Sequence, residues 1–135
     1  MQTQYGHCLF LKQRKCLIVS IESPVNDGEF KTLCSQVAEL IVRYRSRCAV
    51  LDLSGLDVVD SFSVQNLQRL CATLQLYSVS TVVTGIQPSI AISMAVRGLS
   101  LRGVSIAVDL TDALARLEAF GDYGSPPESP YPSLH

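Results

Sequence analysis

Two short apolar runs open the chain, Cys8–Lys12 and Cys16–Glu22, and the polar link Gln13-Arg14-Lys15 between them reads as a hairpin turn. In the second run Leu17, Val19 and Ile21 alternate with Ile18, Ser20 and Glu22, the pattern of a strand with one face covered. From Asp27 the period lengthens. Phe30, Leu33, Cys34, Val37, Leu40, Ile41 and Tyr44 recur at three and four residues, which predicts an amphipathic helix with Asn26 or Asp27 as its N-cap. Ala49–Leu53 is a short apolar run fit for a strand buried on both faces. After the loop Ser54-Gly55-Leu56-Asp57, a second helix is expected from Asp60 or Ser61, with Val64, Leu67, Cys71 and Leu74 forming one stripe.

The same alternation continues. Thr81–Gly85 reads as another buried strand ended by glycine, and Gln87-Pro88 opens a third helix, since proline fits a first helical turn. That helix, expected over 89–99, is apolar almost all round: Ile90, Ala91, Ile92, Met94, Ala95 and Val96, with Gly98 or Gly103 stopping or following it. Ser105–Val108 is the next strand, and Thr111 is expected to cap a last helix carrying Leu114, Leu117 and Phe120 on one side. From Gly121 the composition shifts to glycine, proline and serine, which cannot build a core. The expected architecture is therefore a single α/β domain over 1–120, in the order ββαβαβαβα, with a disordered Pro/Ser-rich tail over 121–135. Strands alternating with helices require right-handed crossovers, hence a mainly parallel sheet with the opening hairpin as an antiparallel edge.

Composition adjusts this picture in one respect. Hydrophobic residues make up 47% of the 135 and charged residues 17%, against roughly a quarter charged in ordinary domains. With a mean hydropathy of +0.26, the apolar surplus either fills the core or is buried against another subunit. The net charge is −1 with both signs interspersed, so no footprint for nucleic acid is expected. Arg43, Arg45 and Arg47 fit a helix C-terminus better than a phosphate-binding patch. The five cysteines, at 8, 16, 34, 48 and 71, form no Cys-x-x-Cys pair, and His7 and His135 sit near the ends, which fails zinc-site spacing. Their odd number and the lack of a signal peptide predict reduced thiols in a cytoplasmic protein, and no apolar run is long enough for a bilayer.

Catalytic patterns are missing from the sequence. It has no Gly-x-Gly-x-x-Gly, no Walker loop, no Gly-x-Ser-x-Gly and no internal histidine base. Asp52, Asp57 and Asp60 gather where strands meet helices, as in phospho-accepting receivers, yet an acidic pair after the first strand and a late lysine are absent. Neither an enzyme nor a bound metal or cofactor is expected. What remains is Val58-Val59-Asp60-Ser61-Phe62-Ser63, which delivers an aspartate and a serine to a helix N-terminus. Both are capping residues, contributing about 1 kcal/mol. The same first-turn amides and dipole also receive a phosphate well, and a phosphoserine adds about −1.5 to −2 charges there.

Leu51-Asp52-Leu53-Ser54 leading to Val59-Asp60-Ser61-Phe62, set in this element order, resembles the STAS domain of anti-sigma-factor antagonists. Val82-Val83-Thr84-Gly85-Ile86-Gln87-Pro88-Ser89-Ile90-Ala91 narrows the likeness to the RsbS-type scaffolds of the bacterial stressosome, over residues 8–120. The resemblance implies assembly with sensor-bearing, RsbR-like STAS paralogues into a closed shell, and self-association. It implies an RsbT-like serine/threonine switch kinase held at rest and released when Ser61 is phosphorylated, with an RsbX-like phosphatase resetting the site. Asp60 would orient and cap, and Phe62, Asp57, Thr84, Gly85 and Gln87 would contact partners. Near the first helix, where the sensor-bearing paralogues carry a further threonine, Asn26 and Asp27 offer no hydroxyl, so a single site is expected. Three alternatives stay open: a monomeric antagonist of an anti-sigma kinase, a nucleotide or anion module using the helix starts at Ser61 and Ser89, and a receiver-like phosphotransferase.

Overall fold

A computed structural model describes residues 2–5, 8–22, 26–56, 61–96, 98 and 103–119, and for residues 2–5, 27 and 61–64 the backbone alone. Ten elements follow in order: β1 (Gln2–Tyr5), β2 (Cys8–Gln13), β3 (Cys16–Ile21), α1 (Asp27–Tyr44), β4 (Cys48–Asp52), α2 (Ser61–Leu76), β5 (Ser80–Thr84), α3 (Pro88–Val96), β6 (Ser105–Ala107) and α4 (Leu110–Ala119). The six strands form one sheet in sequence order, antiparallel from β1 to β3 and parallel from β3 to β6. The α/β class and the mixed sheet are as expected. The strand count is not: β1 precedes the hairpin read from the sequence. Its segment Gln-Thr-Gln-Tyr has no apolar alternation because it lies at the sheet edge.

Register decides which side chains share a face. On one side Leu17, Val19 and Ile21 of β3, Ala49 and Leu51 of β4 and Val83 of β5 meet Leu33, Val37, Leu40 and Ile41 of α1 and Leu67, Leu70, Cys71 and Leu74 of α2, with Ile90 and Met94 of α3. On the other, Cys16, Ile18, Cys48, Val50, Val82 and Ala107 meet Ala113 and Leu117 of α4. This second layer corrects the expectation for β3: Ile18 is as buried as Val19, because α4 covers the face that the alternation left to solvent. Phe120, expected on the α4 stripe, and the tail 121–135 lie outside the described residues.

Helix ends follow local chemistry. Asn26 caps α1 in a reciprocal box: its Oδ1 accepts the Glu29 N–H at 2.8 Å, and the Glu29 carboxylate accepts the Asn26 N–H at 3.2 Å. Asp109, not Thr111, caps α4, its Oδ1 accepting the Asp112 N–H at 2.8 Å. Thr111 lies two residues further on, already inside the helix. Gly98, at φ +67, follows α3, and its N–H donates to the Ala95 carbonyl at 3.2 Å.

Candidate functional site

The parallel strands β3 to β6 all run the same way, so the starts of α1, α2, α3 and α4 gather at one end of the sheet. Ser61 is the first residue of α2, a helix of 16 residues, at that end. Asp57 and Asp60 lie outside the described residues, as do the side chains of Ser61 and Phe62. What is described is the loop that leads toward Ser61, and the neighbours that hold it.

That loop is fastened on three sides. The Asp52 Oδ1 accepts the Ser54 N–H at 3.0 Å, turning the chain sharply at the end of β4. The Leu53 N–H donates to the Thr84 carbonyl at 2.9 Å, which extends the β4–β5 ladder past the last paired residues, Asp52 and Thr84. From the next loop, the Gln87 Nε2 donates to the Ser54 carbonyl at 3.0 Å. Gly85 allows this approach. At φ +75 it adopts a backbone that L side chains rarely take, and a Cβ there would stand 2.7 Å from the Ser54 nitrogen and 2.9 Å from the Asp52 Oδ1. On the far side, a Cβ on Gly55 would meet the Glu22 Cα at 3.0 Å. The loop thus sits wedged between the ends of β3 and β5.

Of the residues expected at the site, Thr84, Gly85 and Gln87 are brought together, with Asp52 beside them. Thr84 is 1% exposed and its hydroxyl has no partner among the described residues, so any part it plays runs through the backbone it fixes. Gly85 and Gln87 are half-buried and hold the loop before α2 in place. Two residues of this clamp escaped the sequence reading. Gly55 shows its role only through a contact with Glu22, and Ser54 takes part through backbone atoms.

Burial raises three of the five thiols. Burial, with Glu22 and Glu29 adding to it, pushes the Cys8 thiol up to about 11, and burial pushes Cys71 up to about 12. Cys34, half-buried, is also raised by burial, against a hydrogen bond with Thr73. No group of three metal-ligating side chains occurs among the described residues, and no described helix is long and apolar enough to cross a membrane.

The mixed sheet and its element order are those of a STAS domain, and the chain belongs to the STAS-domain family, whose model matches residues 10–112. Within it, the chain is similar to a serine-to-glutamate variant of RsbS from Moorella thermoacetica, at 28% identity and a TM-score of 0.73, covering 86% of this chain and 98% of that one. It is similar also to a chain from the structure titled "Molecular architecture of the stressosome, a signal integration and transduction hub", at 30% identity and a TM-score of 0.64, covering 83% and 97%. In Bacillus subtilis (strain 168), the RsbT co-antagonist protein RsbRC is 38% identical over 65 residues. That stretch is 48% of this chain and only 23% of the relative.

Proposed function

We propose that this chain is an RsbS-like scaffold of a stressosome-type assembly, and that it holds an RsbT-like serine/threonine switch kinase until Ser61 is phosphorylated. The observation that carries the reading is the likeness to RsbS, which spans 98% of that protein, with Ser61 opening α2 at the end of a clamped loop. The replacement carried by that RsbS variant, serine by glutamate, is a charge mimic of the modification proposed here.

The mechanism needs no catalytic group on this chain. At the helix start, unpaired first-turn amides and the dipole stabilise an added phosphate. Asp60 orients the acceptor serine, while Phe62 and Asp57, with the surface set by Thr84, Gly85 and Gln87, contact the kinase. A phosphoryl group arriving in that contact adds about −1.5 to −2 charges that must be desolvated, so the kinase leaves. An RsbX-like phosphatase removes it and restores the resting state. RsbR-like paralogues supply the sensing and co-assemble through the shared domain, in the cytoplasm. The test is retention of the switch kinase on immobilised scaffold. Wild type and Ser61→Ala hold it, Ser61→Asp loses it by at least tenfold or so, about 1.4 kcal/mol. Equal retention by Ser61→Asp contradicts the proposal.

A further inference from the structure

Sheet register sets two cysteines side by side, 32 residues apart in the chain. β3 begins at Cys16 and β4 at Cys48, and the two strands pair in parallel with Cys16 opposite Cys48. Both side chains stand on the face covered by α4, where they share a cluster with Ile18, Val50, Ala113 and Leu117. The Cys48 thiol reaches toward β3: its Sγ donates to the carbonyl of Lys15, the residue before Cys16, at 3.6 Å. The same carbonyl accepts the N–H of Arg47 at 2.8 Å and that of Cys48 at 3.2 Å, which fixes the two strand starts against each other.

A single buried cysteine acts as a small apolar residue. Cys8 pairs with Tyr5 and Ile21 in the sheet, and Cys34 and Cys71 lie on α1 and α2, so none of these has a cysteine as strand partner. Cys16 and Cys48 differ. Neighbouring strands lie about 4.8 Å apart, inside the span of about 4.4–6.8 Å between the Cα atoms of a disulfide. Side chains in register on one face keep their Cβ atoms near the strand spacing, longer than the mean of about 3.8 Å in a relaxed bridge. A bridge here draws the starts of β3 and β4 together under strain, which puts it with the easily reduced disulfides and not with the structural ones. The surrounding charge is basic: Arg14, Lys15, Arg45 and Arg47 are exposed beside the two strand starts. Burial and then Lys15 lower the Lys12 ammonium, while Cys16 and Cys48 raise it, so one cation feels both sulfurs. Positive charge favours the thiolate, the form that reacts.

We infer that Cys16 and Cys48 form a reversible dithiol–disulfide site, oxidised by hydrogen peroxide and restored by a small thiol. One thiolate attacks the O–O bond and takes an oxygen, becoming a sulfenic acid as hydroxide leaves. The second thiolate attacks that sulfur; the S–S bond forms, the S–O bond breaks and a second hydroxide leaves. The two protons given up by the thiols turn both hydroxides into water, and two electrons pass from the sulfurs to the peroxide. Both residues are 0% exposed, so the reagent reaches them through local opening at the first residues of β3 and β4. The bridge closes a loop that contains all of α1 and so staples β3, α1 and β4 into one covalent unit. It lies at the end of the sheet opposite the start of α2, and neither Ser61 nor a kinase has a part in it.

The test treats the reduced full chain with hydrogen peroxide in the absence of denaturant, alkylates the remaining thiols and maps the tryptic peptides by mass spectrometry. The expected result is the loss of two of the five alkylatable thiols, a peptide joined through Cys16 and Cys48, and return of both thiols on treatment with dithiothreitol. Cys16→Ala and Cys48→Ala are each expected to give no linked peptide. Five alkylatable thiols after treatment, a bridge between any other pair or between two chains, oxidation of either thiol past the sulfenic acid with no bridge, or a bridge that forms only in urea would each overturn the inference. The wild-type peptide map decides the point by itself should either variant unfold.

Discussion

The two ends of this sheet solve the same problem, holding loops between strands and helices, by different means. Where the strands finish, the loop before α2 is gripped by side chains and by a glycine: Asp52 and Gln87 bond to Ser54, and Gly85 makes room. Where the strands begin, the loops are tied by backbone hydrogen bonds, and all three described non-glycine residues with positive φ (Arg14, Arg45 and Ser78) are found there. The first end holds fast the loop that leads toward α2. The second end accepts strain and keeps its charges. A close approach of two loops thus rests on glycine at one end, and arginine is kept against backbone preference at the other.

Substitution at Gly85 should separate the ends most sharply. Gly85→Val forces a Cβ against Ser54 and Asp52 in a left-handed backbone, so a loss of about 3 kcal/mol is expected in urea denaturation. Little loss would mean the clamp is slack. At the other end the sign reverses. Arg14→Gly and Arg45→Gly should each stabilise the fold by about 0.5 kcal/mol, relief of the left-handed cost being offset by added freedom of the unfolded chain. Destabilisation in either would show that the arginine is held by contacts that outweigh its strain.

The smallest effect is expected at Asp112. The Val108 N–H and then the Arg116 side chain hold its carboxyl below the usual carboxylate range. A carboxyl depressed in the folded state contributes stability above its unfolded value, and loses that contribution as pH falls through the folded value. Asp112→Asn should therefore melt slightly lower than wild type at neutral pH and converge with it in acid. A gap that is constant with pH would locate the effect elsewhere.

Much of this fold is legible in the residues because its signals are local. The Asn26-x-x-Glu29 box and the spacing from Leu33 to Ile41 specify α1, and Pro88 marks the start of α3. The edge strand β1 is not legible, since Gln-Thr-Gln-Tyr carries no apolar period. Nor is the second buried face of β3, which depends on α4, some ninety residues on. At the site, the helix start at Ser61 follows from sequence pattern, whereas the clamp joins Ser54 and Gln87, 33 residues apart. The tie at the other end was hidden for the same reason: Arg47 meets Lys15 only after β3 and β4 pair.

The most direct test of the switch is intact and peptide mass spectrometry after incubation with the cognate RsbT-like kinase and Mg-ATP, beside a Ser61→Ala control. The account predicts a single phosphate on Ser61 that is absent from the control. No phosphate, or phosphate confined to the serines of residues 121–135, would contradict it and leave a STAS domain that binds its partners constitutively.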